Sequence, residues 1–170
     1  MSLWHDAAVS PRSAAPSGPF PYRHPIEIRF RDTDALGHVN NAVYLTYFEA
    51  ARAGYYRAVT GSAFGTDGDE ASPRTFLIAE ARITYRSPAL FGESLHVDCR
   101  VGWAGRSSFS LDYLVSADAS ALGEPRAVAY GQSVQVMFDL HANRVTRLPA
   151  DLLALMERFE GGPIPSRPGG

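Results

Sequence analysis

The chain has a single cysteine among 170 residues. With only Cys99, an internal disulfide framework and a paired-cysteine metal site are both excluded. Long apolar runs are missing as well. No stretch approaches the roughly 18 apolar residues that would span a bilayer. No opening pattern of charged, apolar and small segments marks a secretory leader. No membrane partner is expected, and the expected location is cytoplasmic. Charge of one sign is also scarce, with 16 basic against 18 acidic residues and a formal net charge of −2. Without a basic stripe or a block of like charges, nucleic acid is not an expected partner. A GxSxG elbow and a glycine-rich phosphate loop are both absent, which removes support for serine-hydrolase chemistry and nucleotide hydrolysis. His5, His24, His96 and His141 are scattered without ligand spacing, so no metal and no cofactor are expected.

What the chain does contain is ordinary for a globular protein: 45% apolar and 20% charged residues, enough for one core and one domain. Residues 1–22 are rich in proline, serine and alanine, a composition too poor in apolar surface to offset ordering entropy. They are expected to form a flexible tail, as is 161–170, with a single domain over 23–160. Ordered structure is expected from Ile26, where Ile26, Ile28 and Phe30 alternate with Glu27, Arg29 and Arg31 as in a half-buried strand. A polar break, Asp32-Thr33-Asp34-Ala35-Leu36-Gly37-His38-Val39-Asn40, follows, and Asn40 or Asn41 is suited to cap the helix after it.

That helix is expected from Asn41 to about Thr60, stopped by Gly61. Its only charges are Glu49, Arg52 and Arg57, and apolar or aromatic groups occur nearly all round it. Such a helix should be largely enclosed, since a surface helix shows one apolar stripe. After a loop over 62–74, four strands are expected at Thr75–Tyr85, Ser94–Gly102, Ser107–Ser116 and Arg126–Leu140. Cys99 falls on the apolar face of the second of these, with Leu95, Val97 and Val101, and reads as a buried structural thiol rather than a nucleophile. Pro149 opens a short amphipathic helix bearing Leu152, Leu153, Leu155, Met156 and Phe159. One early strand, one enclosed helix and four consecutive strands exclude an alternating doubly wound sheet. The expected class is α+β, an antiparallel sheet wrapped around a long central helix, with open edges that favour dimerisation.

The run from Ile26 to Arg52, with its DTD, GHVNN and aromatic helix in that order, resembles the signature of hotdog acyl-CoA thioesterases. It is similar to the 4-hydroxybenzoyl-CoA thioesterase branch. The stretch Ala81–Leu95 fits the second strand and turn of the same family, and the resemblance spans roughly residues 24–158. It implies the hotdog fold, hydrolysis of acyl-CoA thioesters, and a catalytic carboxylate at Asp34. Whether that carboxylate attacks directly or activates water stays open. The chemistry also needs an oxyanion stabiliser, and helix N-termini present free N–H groups with a favourable dipole. The amides of Asn41 and Ala42 are the candidates, with Asn40 and Asn41 as caps that position them.

His38 is a candidate helper. In carrier-protein relatives an asparagine stands two residues after the aspartate, where this chain has Leu36, which argues against a three-residue catalytic set. Asp32 reads as a turn or ion-pair residue with Arg29 or Arg31. Tyr44 and Glu49 are candidates for the acyl pocket, Glu49 alternatively for an intrahelical ion pair. Arg106 and Ser107, in a turn after Gly105, are candidates for CoA phosphates, with Arg82, Arg86 and Arg126 behind them. The expected partners are acyl-CoA and further copies of the chain, as a homodimer or homotetramer. A hotdog hydratase or dehydratase and a non-catalytic acyl-CoA-binding module are the competing readings.

Overall fold

In the computed structural model, which describes residues 15–62, 68–69, 72–73 and 75–169, the chain forms an antiparallel sheet with two helices. The elements run β1 (Tyr22–Glu27), a 3-10 turn (Phe30–Asp32), α1 (Val43–Thr60), β2 (Gly68–Asp69), β3 (Ser72–Pro73), β4 (Thr75–Tyr85), β5 (Ser94–Ala104), β6 (Ser108–Ala117), β7 (Arg126–Asp139), β8 (Arg144–Val145) and α2 (Ala150–Glu160). The main sheet has the order β1-β5-β6-β7-β4, with β8 folded back on the end of β7, while β2 and β3 pair separately. Most of the 62–74 loop lies outside the described residues.

The strands follow their apolar alternation. Leu95, Val97, Cys99 and Val101 on β5, with Leu111, Tyr113 and Val115 on β6, supply one buried face. Cys99 has no exposed surface, and burial, with Glu160 next, pushes its thiol well up. Across this face lies α1, which buries Tyr44, Tyr47, Phe48, Ala51, Tyr55, Tyr56 and Val59. Each of the larger side chains contributes about 1.5–3 kcal/mol of burial. Phe48 stacks on Tyr113 at 4.2 Å between centroids. That approach requires Gly131, because a Cβ there would come within 2.7 Å of the Phe48 ring and closer still to the Arg82 carbonyl. Gly54 does the same for β1, where an added Cβ would overlap the Tyr22 hydroxyl. A mid-helix glycine costs about 1 kcal/mol relative to alanine, and here it admits the crossing strand.

Four expectations change. The first strand begins at Tyr22, before Ile26, and ends at Glu27. Pro25 hid it, but β1 is an edge strand, where a residue without an N–H is tolerated. Phe30 leaves the strand for the 3-10 turn, is 80% exposed, and meets the Phe91 ring edge-on at 6.0 Å. Secondly, α1 is not enclosed within one chain, because Leu45, Thr46, Glu49 and Ala53 are exposed. Thirdly, the end of the first tail is held down: Arg100 donates to the carbonyl oxygens of Ser17 and Pro19 and lies over the Phe20 ring. Fourthly, the C-terminal segment returns to β5. Ala104 N–H donates to Pro165 O, and the Arg167 guanidinium covers Trp103. Composition alone did not reveal these contacts, because a few arginines and carbonyls make them.

Candidate active site

The polar break after β1 is a hairpin built from its own main chain. Thr33 bridges Val39, Asp34 N–H donates to His38 O, and Asn40 N–H donates to Asp32 O. Gly37 N–H closes the tip onto Asp34 O, with Gly37 at φ +78°, a conformation that favours glycine. The hairpin rests on the turn after β4. Val39 N–H donates to Ala89 O, and His38 bridges Leu90. That turn is pinned by Glu93, whose carboxylate accepts from Leu90 N–H and from Arg126. Arg126 also donates to Pro88 O. Burial raises the Glu93 carboxyl, but the Arg126 and Leu90 hydrogen bonds outweigh it and hold the pKa below its usual value.

The two aspartates of the break have opposite surroundings. Asp32 is 2% exposed. Its carboxylate accepts from the Arg29 amide and guanidinium and from the Tyr47 hydroxyl at 3.2 Å. Burial raises its pKa, and these Arg29 and Tyr47 hydrogen bonds lower it further than burial raises it. Arg29, not Arg31, is therefore the ion-pair partner. Asp34 is exposed at the tip. One of its carboxylate oxygens accepts from Leu36 N–H at 2.8 Å, and the other has no hydrogen-bond donor among the described residues. Such a carboxylate is free to meet a substrate.

The hairpin runs directly into α1. The N-cap of α1 is Ala42, without a side-chain cap, rather than the expected Asn40 or Asn41. Asn40 instead closes the turn before the helix, its side-chain oxygen accepting from Ala42 N–H at 2.9 Å and its carbonyl from Val43 N–H. Ala42 N–H is thereby spent, which removes one of the two expected oxyanion donors. Asn41 N–H has no acceptor among the described residues, while Asn41 O accepts from the Tyr85 hydroxyl at 2.8 Å. His38 is half-buried beside Leu90, and its ring makes no hydrogen bond among the described residues.

Tyr44 lies beneath the helix start rather than open to it. It is 2% exposed, packed on Tyr85 and Tyr47, and its hydroxyl is pushed up to about 12, mainly by burial and then by Tyr85. Glu49 forms no ion pair with Arg52 or Arg57 among the described residues. With Arg52, Ala53, Phe76, Leu77 and Ile78 it lines a groove of about 260 Å³ between α1 and β4.

Asp34, His38, Asn40, Asn41 and Tyr44 are thus brought together. Arg106 and Ser107 are not. The site borders the Tyr85 end of β4, and Tyr85 pairs with Ala129. The Arg106 turn borders Ser108, which pairs with Val136 at the other end of β7. The separation is roughly 20 Å along the strands. Among the further arginines, Arg126 is held by Glu93 and Arg82 by Glu80. Sequence reading missed Tyr47, Tyr85, Ala89 and Glu93. Tyr47 looked like one more apolar position of α1, and the other three are more than forty residues from the hairpin, so no local pattern marks them.

Residues 28–156 match the Thioesterase-like superfamily. The chain belongs to this family. It is similar to a thioesterase of Thermus thermophilus solved with coenzyme A and zinc, at 34% identity and a TM-score of 0.67, over 85% of this chain and 98% of that one. A gentisyl-coenzyme A thioesterase at 20% identity shares the fold, with a TM-score of 0.68 over 79% of this chain and 99% of that one. The uncharacterized protein YsmA of Bacillus subtilis (strain 168) is 26% identical over 95 residues. That match covers 56% of this chain, which spans about 60% of the length of this curated relative.

Proposed function

We propose that this protein hydrolyses acyl-CoA thioesters to the free acid and CoA. In this reading the Asp34 carboxylate is nucleophile or general base, and the Asn41 N–H is the oxyanion donor. The observation that carries it is the exposed Asp34 carboxylate on a hairpin that is hydrogen-bonded into the start of α1, where one amide has no acceptor. As a nucleophile, a carboxylate oxygen attacks the thioester carbon, the C–S bond breaks, and CoA leaves as thiolate. Water then cleaves the mixed anhydride, returning the carboxylate and releasing the acid. As a base, the carboxylate takes a proton from water, the hydroxide adds to the same carbon, and the thiolate leaves with that proton. Either path puts negative charge on the carbonyl oxygen, where a positioned N–H is worth most. His38, whose ring makes no hydrogen bond among the described residues, is available to orient the water or the carbonyl.

The working unit in this proposal is at least a homodimer joined through β4. This edge is long, carries exposed Leu77, Ile78 and Tyr85, contains no proline, and has its two charges, Glu80 and Arg82, paired with each other, so little protects it from pairing. A two-fold axis across it reverses the strand direction, so the Arg106 end of a second copy comes to the Asp34 end of the first. That would unite the two halves a single chain holds apart: Asp34 and Asn41 for chemistry, Arg106 and Ser107 for CoA phosphates. It would also cover the open face of α1 and close the groove at Glu49 for the acyl tail, completing the wrapped, hotdog arrangement.

The deciding experiment offers purified protein a panel of acyl-CoAs with a thiol reagent reporting free CoA, alongside Asp34→Asn. Turnover by the wild type with a loss of at least about 10²-fold in the variant is expected. Equal activity in both would remove Asp34 from the mechanism. Binding without turnover would make the protein a binding module, and water addition to an enoyl-CoA would make it a hydratase.

A further inference from the structure

Neither candidate reacting group is held to the rest of the fold by its own side chain: the Asp34 carboxylate bonds only to Leu36 N–H within the tip among the described residues. Asp34 stands on an exposed tip, and Asn41 N–H sits between a loop and a helix. Yet a closed circuit of hydrogen bonds contains Asn41 and anchors the hairpin that carries Asp34. The Tyr47 hydroxyl, on the buried face of α1, donates to the Asp32 carboxylate at 3.2 Å. The Asp32 carbonyl accepts from Asn40 N–H at 2.8 Å. The Asn40 carbonyl accepts from Val43 N–H at 3.0 Å, and its side chain from Ala42 N–H at 2.9 Å. Val43 begins the helix that carries Tyr47 one turn later. Asn41 lies within the circuit, and Asp34 is two residues outside it, paired with His38.

We infer that Tyr47 and Asp32 are positioning residues, and that their hydrogen bond sets the Asp34 hairpin against the first turn of α1. The inference rests on the proposed thioester hydrolysis, of which it names the alignment device. Asp32 is suited to this and not to chemistry, because Arg29 and Tyr47 already occupy its carboxylate and it is 2% exposed. Arg29 neutralises the charge that would otherwise make the buried carboxylate costly. Among described residues, Tyr47 makes the side-chain hydrogen bond from the inner face of α1 to the hairpin. Without it, the hairpin keeps its links to α1 at Asn40 and to the Ala89–Leu90 turn through Val39 N–H and the His38 bridge, but loses its direct side-chain tie to the inner face of the helix. The loss of that tie lets Asp34 shift relative to Asn41, and displacements near 1 Å can cost about 10² in rate.

Tyr47→Phe deletes the hydroxyl and keeps the ring that packs on Tyr44. Tyr55→Phe is the matched control, since its hydroxyl also donates to a partly buried carboxylate, Glu160, at 2.5 Å, away from the hairpin. Steady-state kinetics on an acyl-CoA should show kcat lowered about 10- to 100-fold in Tyr47→Phe, with KM within about threefold of wild type. Tyr55→Phe should keep its kcat even where its Tm falls. Backbone hydrogen exchange over residues 32–42 should quicken in Tyr47→Phe and stay unchanged in Tyr55→Phe. Wild-type kcat and exchange in Tyr47→Phe, with Asp34→Asn inactive, would overturn the inference and leave the hydrolase reading intact. If the wild type turns over no acyl-CoA, that reading fails instead, and exchange over 32–42 still decides whether Tyr47 holds the hairpin. A kcat loss shared equally by Tyr55→Phe would mark a general stability effect and overturn the positioning role.

Discussion

The two ends of the sheet handle arginine differently. At the Asp34 end, Arg29 is paired with buried Asp32 and Arg126 with buried Glu93, and both pairs brace the loops around the candidate carboxylate. At the other end, Arg106 is exposed in its turn and has no ion pair among the described residues. A guanidinium locked to a carboxylate braces a loop, while an unengaged one is available for a phosphate. In the proposed reading one end holds still and the other binds CoA, and within a single chain they lie roughly 20 Å apart.

The sharpest test of this division is Asp34→Asn, expected to lower kcat by about 10²- to 10⁴-fold in free-CoA release while leaving the Tm within a degree or two. A fall in Tm to match would make the tip structural, like its neighbour Asp32. Next comes Arg126→Ala, which strands the Glu93 carboxylate, fully buried in its side chain. A loss of about 3 kcal/mol in denaturant unfolding is expected. Arg106→Ala should show the reverse pattern, with unchanged stability and a KM for acyl-CoA raised about tenfold. That rise should vanish with a short acyl thioester lacking the nucleotide. Mixing Asp34→Asn with Arg106→Ala protomers at saturating variant ratios tests the union of the two ends. A mixed dimer that takes Asp34 from one copy and Arg106 from the other keeps one intact site of two, so turnover with the wild-type KM should reappear; its absence would place both ends of a site in one chain.

The smallest expected effect is on acid stability. Asp32 and Glu93 both have folded pKa values below their ordinary 3.8 and 4.5. Their pairing therefore stabilises the fold fully above about pH 4.5, and the stabilisation is lost as pH falls through the lowered values. A Tm–pH curve should drop below about pH 4.5, and Asp32→Asn should flatten part of that slope. An unchanged slope would mean that Asp32 gains nothing from Arg29.

Much of the fold was legible along the chain because it is written in local periodicity. Thr75–Tyr85 is β4 as read, and α1 differs only in beginning at Val43, two residues after Asn41. The apolar face of Cys99 was clear from alternation, and Asp34, Asn40 and Asn41 could be named from a contiguous run. What escaped reading was a matter of partners. Pro25 disguised β1, since an edge strand is defined by its neighbour. The all-round apolar face of α1 promised enclosure, but one sheet covers only one side of a helix. Neither Asn40 nor Asn41 became the N-cap, which is Ala42; the Asn40 side chain instead closes the turn before it. Glu93 escaped notice because its partner, Arg126, comes 33 residues later.

By itself, then, the sequence determined the order of the long elements and the core faces, because these depend on spacings of two to seven residues, while the candidate carboxylate came from the family resemblance of the run around it. Tertiary structure decided which aspartate is buried and which is free, that Ala42 N–H is spent, and that Arg106 lies at the far end from Asp34. Burial, hydrogen-bond occupancy and distance are properties of pairs brought together by folding, and no single segment of the chain carries them.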